Sequence, residues 1–155
     1  MNTSSATPIG RIAGIDFGTK RIGIAITDKD QLIASPYENY DVKNPEKDAD
    51  RFRAFVKSED VVLFVVGLPV HMSGNESQKS LEARQFGAWL EQETATPVVF
   101  FDERFTTRNA EELLQQAKLT KKKRQRRLDM LAAQLLLSAY LESSRSSAEP
   151  GSLDD

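Results

Sequence analysis

The most constraining feature of the chain is a short run, Val61-Val-Leu-Phe-Val-Val66, in which every side chain is apolar. A strand with this pattern is typical of a sheet covered on both faces, because alternate side chains point to opposite faces. A second apolar run at residues 97–101 also predicts a buried strand. Both runs are far too short to span a membrane. They predict an α/β domain whose sheet is flanked by helices.

Two β-rich runs open the fold, at residues 11–16 and 21–27. The segment between them is short and contains Gly18, so the pair predicts an antiparallel hairpin. Residues 31–40 are expected to add a third strand. Pro36 interrupts this strand and places it at a sheet edge or at a bend.

Helical periodicity accounts for most of the remaining chain. Helices are predicted from Pro45 onward, at 77–94, at 107–119 and at 128–141. The core positions expected on the second and last of these helices are Leu81, Phe86, Trp89 and Leu90, and then Leu128, Leu131, Leu135 and Ala139. The order β-β-β-α-β-α-β-α indicates a mixed five-stranded sheet, in which an antiparallel meander is followed by parallel strands joined through helices.

A chain of 155 residues suits one such domain. We expect the domain at residues 9–142, because the segments on either side lack apolar periodicity. Residues 1–8 are then a disordered leader, without the basic start and apolar stretch of a signal peptide. Residues 143–155, rich in Ser and ending near Pro150 and Gly151, are expected to be a disordered tail.

Several acidic residues stand where apolar elements begin or end. Asp16 ends the first strand, Asp102 and Glu103 end the strand at 97–101, and Asp129 lies at the start of the last helix. Each has an ordinary explanation alone, as a turn residue, a helix cap or a helix-start carboxylate. Together they suggest catalytic acids, because carboxylate oxygens suit Mg²⁺ or Mn²⁺ and such ions can activate water for phosphodiester cleavage. The hypothesis requires acids that are distant in the chain to meet at one sheet edge.

Positive charge is concentrated between the helices predicted at 107–119 and 128–141, although 21 basic and 23 acidic residues leave a net charge of −2. In the run 121–127 only Gln125 is uncharged. A solvated loop or helix extension is the ordinary interpretation. A phosphate backbone would relieve the mutual repulsion of these charges, so the run is a candidate nucleic-acid contact. The full set of candidate contacts is Lys20, Arg21, Arg104, Arg108, Lys121, Lys122, Lys123, Arg124, Arg126 and Arg127.

Other common chemistries find little support in the composition. The chain has no Cys, which excludes disulfides and thiolate metal sites. Its single His, His71, follows Gly67-Leu-Pro69 in a loop, where a surface role is favoured over a catalytic one. Ser-His-Asp hydrolysis is disfavoured because no nucleophile elbow precedes a helix.

Four segments in order resemble the YqgF/RuvX family, described both as Holliday junction resolvases and as pre-16S rRNA nucleases. They are Gly14 to Asp28, then Val66-Gly-Leu-Pro69 with Met72 and Gly74, then Asp102-Glu-Arg-Phe-Thr-Thr107, and finally Asp129 with Ala132-Ala133 and Tyr140-Leu141. The match spans about residues 11–142. One departure is Ser73, where the family often carries an acidic residue.

The resemblance implies a ribonuclease H-like fold and a metal-dependent nuclease that uses Mg²⁺ or Mn²⁺. It implies that Asp16 is the strand-one acid and Asp129 the last-helix acid. The middle acid is Asp102 or Glu103, which strand alternation points to opposite faces; Asp16, Glu103 and Asp129 are the expected metal ligands. The implied setting is the cytoplasm, and the implied role is 5′-end maturation of small-subunit ribosomal RNA.

Several alternatives stay open at this point. The first is a resolvase acting on branched DNA, and the second is a non-catalytic RNA-binding ribosome assembly factor. A phosphotransferase is a third, because Asp16-Phe-Gly-Thr19 resembles the phosphate loop of actin-like kinases, but that fold generally needs two domains. The expected partners are structured RNA or branched DNA and the small ribosomal subunit, with no membrane. A monomer would suffice for RNA trimming, and a homodimer would favour symmetric junction cutting.

Overall fold

The computed structural model describes residues 9–69, 77–102 and 121–148, and within the last range the side chains of 127–144. Its elements are β1 (Arg11–Asp16), β2 (Arg21–Thr27), β3 (Ala34–Asp41), α1 (Pro45–Glu59), β4 (Val61–Leu68), α2 (Gln78–Thr94), β5 (Val98–Asp102) and α3 (Lys121–Ala148). The predicted leader at 1–8 and the predicted helix at 107–119 lie outside the described residues.

The five strands form one mixed sheet in the order β3-β2-β1-β4-β5. The first three strands are an antiparallel meander, whereas β4 runs parallel to β1 and β5 parallel to β4. The predicted α/β class and sheet type are therefore confirmed. β3 is an edge strand, and its pairing with β2 shifts register between Ile24 and Ala25, where Ala25 faces Pro36. A proline cannot donate to the ladder, which explains both features.

Helices α1 and α2 cover one face of the sheet with large aromatic side chains. Phe52 and Phe55 of α1 are buried against Phe64 of β4, and Phe86 of α2 joins them. Local signals fix both helix starts: the side chains of Asn44 and Ser77 accept hydrogen bonds from the amides of Lys47 and Ser80.

The opposite face is covered by α3, which packs on small and aliphatic residues of the sheet. Ala133, Leu136, Leu137 and Leu141 are buried there against Ile12, Ala25, Ala34, Leu63 and Val65. The predicted stripe of Leu128, Leu131, Leu135 and Ala139 is wrong, because all four side chains are only partly buried. Apolar residues occur on more than one side of this helix, and their spacing alone does not select the side that meets the sheet.

Three further predictions need correction. Leu81 is 48% exposed, although Phe86 and Leu90 are buried as expected. β5 is half-buried along its whole length because it ends the described sheet order, so it is not a fully buried strand. Helix α3 continues to Ala148, past the helix end predicted at Leu141, because the Ser, Arg and Ala residues that follow are compatible with a helix. Within the described residues, no helix is long and apolar enough to cross a membrane.

Candidate active site

Asp16 and Asp129 are brought together by a close approach of α3 to the hairpin of β1 and β2. Asp16 is paired with Gly23 across the hairpin, and both positions face α3. A Cβ placed on Gly23 would lie 2.1 Å from the carbonyl oxygen of Asp129. Only a glycine permits this contact, because the helix backbone occupies the space of a side chain. The third turn of α3 is thereby seated directly beside the carboxyl end of β1.

The Asp129 carboxylate is held from two strands of the sheet. Its Oδ2 accepts a hydrogen bond from Nε of Arg21 on β2 at 3.2 Å and one from Nδ2 of Asn39 on β3 at 3.2 Å. The Arg21 contact is also a salt bridge, in which the side chain of Asp129 is 19% exposed and that of Arg21 is 38% exposed. The carboxylate is thus fixed in position at the margin of solvent.

A cavity of about 450 Å³ opens at this edge of the sheet. Its floor is the turn from Phe17 to Lys20, and the first turns of α2 form one wall. Phe17 stacks on Phe86 of α2, with ring centroids 4.7 Å apart, which ties the turn to the aromatic core. The charged side chains that line the cavity are the acids Asp16, Glu82 and Asp129 and the cations Lys20, Arg21 and Lys79. Such a mixture suits a ligand that combines cations with phosphate groups.

Comparison with known proteins identifies the family of the chain. The family model described as RuvX, Holliday junction resolvase, matches residues 10–143. The chain belongs to the RuvX family. A relative from Rhodopirellula baltica is 51% identical over 136 residues, covering 88% of this chain and 79% of that protein. One from Koribacter versatilis is 41% identical over 133 residues, covering 86% and 87%. Both carry the name "Putative pre-16S rRNA nuclease".

Solved structures support the ribonuclease H-like fold of this RuvX protein. The T. thermophilus RuvC, solved in complex with a Holliday junction substrate, superposes with a TM-score of 0.54 at 16% identity, covering 90% of this chain and 98% of that one. The yeast mitochondrial Holliday junction resolvase gives a TM-score of 0.52 at 14% identity, covering 93% and 85%. Family and relatives together assign the chain to the nucleases, hydrolases of phosphodiester bonds in nucleic acid.

The packing of β5 assigns Asp102 to the face of the sheet opposite to that of Asp16. On β5, Val98 and Phe100 pack toward α1 and α2, whereas Val99 and Phe101 pack toward α3. Strand alternation places Asp102 with Val98 and Phe100. Asp16 faces the other side, that of α3. Asp102 also does not line the cavity. Glu103, the other candidate, lies outside the described residues, as do Arg104, Arg108, His71 and Ser73.

The basic run at 121–127 is helical and forms the first two turns of α3. The sequence allowed either a loop or an extension of the helix, and the run is an extension of the helix. Cations at a helix N-terminus oppose the positive end of the helix dipole, and no acidic residue lies in this first turn. An anionic partner would remove the conflict. Arg127 is exposed; the side chains of residues 121–126 are outside the described set.

Three residues of the site were missed by sequence reasoning. Asn39 lies on an edge strand with no motif around it, so no signal in the sequence points to its bond with Asp129. Lys79 and Glu82 are three apart on α2, which places them on one side of the helix. They follow the loop after β4 and so lie at the carboxyl edge of the parallel strands. That topological signal could have found them.

The donor set present at the site fits a hard divalent cation. Asp16 and Asp129 offer carboxylate oxygens at one cavity, and such oxygens are the preferred ligands of Mg²⁺ and Mn²⁺. Among the described residues, however, no three acids lie close enough to hold a metal ion together. Asp16 and Asp129 therefore leave room for a further ligand.

Proposed function

We propose that this protein is a metal-dependent nuclease that trims the 5′ end of precursor 16S ribosomal RNA. The observation that carries the proposal is the shared cavity of Asp16 and Asp129, beside the cationic side chains of Lys20, Arg21 and Lys79. Relatives named for pre-16S rRNA support the substrate. This substrate places the protein in the cytoplasm with the assembling small ribosomal subunit.

Asp16 and Asp129 would hold Mg²⁺ or Mn²⁺. Such an ion supplies activation of water and stabilisation of the leaving oxygen in phosphodiester cleavage. The chain itself orients these two carboxylates: Asp16 through its strand position, and Asp129 through Arg21 and Asn39. Lys20 and Lys79 at the rim provide positive charge for the flanking phosphates.

We propose Glu103 as the middle acid and as the third metal ligand. Asp102 is assigned by alternation to the face of α1 and α2, away from Asp16. Asp102→Asn should retain most of the cleavage rate, whereas Glu103→Gln should lose about 100-fold or more. Equal losses in both variants would contradict the assignment.

The central test is metal-dependent cleavage of a defined precursor rRNA fragment by the parent and by Asp16→Asn. The variant should lose about 100-fold to 1000-fold in kcat, because the loss of one ligand removes several kcal/mol of charge stabilisation, while its RNA affinity changes little. Asp30→Asn is the matched control, since Asp30 is exposed in the turn before β3. Cleavage by Asp16→Asn at the parental rate would overturn the nuclease mechanism. A non-catalytic assembly factor, by contrast, would cleave the fragment neither as the parent nor as Asp16→Asn.

The basic run at the start of α3 is proposed to hold the nucleic-acid backbone. Replacing Lys121, Lys122 and Lys123 together by Gln preserves helix propensity and removes three positive charges. We expect a weaker RNA affinity and a salt slope reduced by about two to three. An unchanged salt slope would mean that these lysines do not contact the RNA backbone.

Branched DNA is the second candidate substrate, favoured by the family description and by the fold of the resolvases. A four-way DNA junction should be assayed beside the precursor rRNA fragment, with the same metal and enzyme. Preferential cleavage of the rRNA fragment supports the proposal. Paired, symmetric cuts in the junction, together with a dimer in solution, would favour the resolvase instead.

A further inference from the structure

The ion pair between Arg21 and Asp129 lies inside the cavity where both metal and phosphate would bind. Oδ2 of Asp129 accepts two hydrogen bonds at once, from Arg21 and from Asn39. A carboxylate oxygen has about two lone-pair directions, so both are used in this arrangement. The charge of Asp129 is also compensated by the guanidinium. A cation approaching Oδ2 of Asp129 therefore meets an oxygen that is already engaged.

We propose that Arg21 exchanges partners when substrate binds, leaving Asp129 for a backbone phosphate of the nucleic acid and thereby opening Asp129 to the metal ion. The inference rests on the proposed function and adds a coupling between its two ligands. Substrate and metal would then bind cooperatively, and the metal site would be held at reduced affinity until nucleic acid arrives.

Two observations and one general property of arginine support the exchange. Arg21 is 38% exposed and lines the cavity together with Lys20 and Lys79, so an entering phosphate would lie within a cationic environment. A guanidinium forms charge-assisted bonds with phosphate as readily as with carboxylate. Asn39 is neutral and holds the same Oδ2, so Asp129 would keep its orientation after Arg21 departs.

A purely structural ion pair predicts the opposite effect on metal affinity. If Arg21 only positioned Asp129, its removal would leave the carboxylate less ordered and the metal more weakly bound. If Arg21 competes with the metal, its removal frees a carboxylate and deletes a nearby positive charge, so the metal binds more tightly. The sign of the change therefore distinguishes the two roles.

The experiment measures Mn²⁺ affinity of the full-length protein by titration calorimetry, without nucleic acid, for the parent and for Arg21→Gln. We expect about a threefold to tenfold tighter dissociation constant in the variant, the range expected for breaking one partly exposed ion pair beside a cation. Arg53→Gln is the matched control. Arg53 pairs with Asp50 of α1 and Glu93 of α2, and it does not line the cavity. Arg21→Lys keeps the charge and should stay within about twofold of the parent.

A second titration repeats the comparison with a bound precursor rRNA fragment, using Ca²⁺ as the probe cation and a gel to verify that the RNA stays intact. The dissociation constants of Arg21→Gln and the parent for the cation should then differ by less than about twofold, because in the parent Arg21 has already moved to phosphate. Reciprocally, the cation should strengthen RNA binding more in the parent than in the variant, since the coupling is thermodynamically mutual.

The outcomes separate this inference from the proposed function. Unchanged or weaker Mn²⁺ binding by Arg21→Gln, with normal binding by the parent, would overturn the exchange and leave the nuclease proposal intact. The exchange is also overturned if Arg21→Gln binds the cation more tightly than the parent by the same factor in the presence and in the absence of RNA. If the parent binds no divalent cation under either condition, both proposals fail. Circular dichroism of each variant confirms that the fold is retained in the samples compared.

Discussion

The two faces of the sheet are packed by different kinds of residue. On the side of α1 and α2, the ring of Phe52 packs against those of Phe64 and Phe86, with centroid distances of 6.3 and 5.8 Å. On the side of α3, the sheet presents small residues, among them Gly14 and Gly23, and the helix backbone comes close to the strands.

This difference assigns different tasks to the two faces. The aromatic face buries most of the large apolar side chains and therefore supplies much of the folding free energy. The small-residue face sets the height of α3 above the sheet. Because Asp129 is carried by that helix and Asp16 by the strand beneath it, this height determines whether the two acids share one cavity.

The largest effect is expected on stability, from the aromatic face. Phe52→Ala should lower the free energy of unfolding by about 3–5 kcal/mol, since Phe52 is fully buried among other rings. Urea unfolding followed by circular dichroism measures this change. The kcat of the folded fraction should remain within about twofold of the parent. A cleavage defect much larger than the loss of folded protein would contradict the division between the faces.

The next largest effect is expected on catalysis, from the small-residue face. In Gly23→Ala the new Cβ would meet backbone atoms of Asp129, at 2.1 Å from the oxygen and 2.6 Å from the carbon, so α3 must shift. A displacement of about 1 Å should reduce kcat about 100-fold. Gly14→Ala is the matched control on the same face, where the nearest atoms lie 3.0 Å away. If Gly23→Ala cleaves like the parent, the close approach is not what assembles the site.

A smaller effect is expected at the polar margin of the aromatic face. The Tyr40 hydroxyl donates to Oδ1 of Asp48 at 2.6 Å, and both residues are buried. Tyr40→Phe should cost about 2 kcal/mol, because a hydrogen bond to a buried charged group is lost. Thermal or urea unfolding at neutral pH measures this cost, and the cleavage rate should not change.

The same residue gives the protein a specific dependence on alkaline pH. Burial, together with the hydrogen bond to Asp48, raises the pKa of Tyr40 from 10.0 to about 12. The folded state thus keeps this proton where the unfolded state has lost it, so the contribution is complete below pH 10 and is lost as pH rises toward 12. In Tyr40→Phe, the free energy of unfolding should not show this part of the decrease between pH 10 and pH 12. An identical decline in parent and variant would assign it to other groups.

The smallest effect is expected at Leu81, which the helical pattern assigns to the core and which the structure exposes. Leu81→Ala should change the free energy of unfolding by less than about 0.5 kcal/mol. Leu90→Ala, on the same helix but fully buried, should cost about 2 kcal/mol or more. Similar changes in the free energy of unfolding at both positions would mean that the side chain of Leu81 is buried in solution.

Prediction from sequence succeeded where the signal is local. The hairpin follows from two β-rich runs around a short turn, and the helix predicted from Pro45 onward begins at Pro45 as α1. Prediction failed where the answer depends on a distant element. The buried side of α3 was misplaced because Leu131 and Leu135 have the same spacing of four residues as Ala133 and Leu137.

The candidate site divides in the same way. Asp16 and Asp129 could be selected from the sequence, because each stands at the end of a predicted element in a recognisable segment. Asn39 could not, since its bond to Asp129 joins residues 90 positions apart and neither flank carries a motif. The choice between Asp102 and Glu103 stays a proposal: the packing of β5 assigns Asp102 to the face of α1 and α2, and Glu103 lies outside the described residues.

By itself, the sequence determined the order of strands and helices and the mixed character of the sheet, because alternation and helical periodicity are properties of neighbouring residues. Only the tertiary structure decided how deeply α3 is seated on the hairpin and that Arg21 pairs with Asp129 across 108 positions. Those features arise from packing between elements: a missing side chain at Gly23 admits the helix backbone, and the helix then delivers its carboxylate to the cavity.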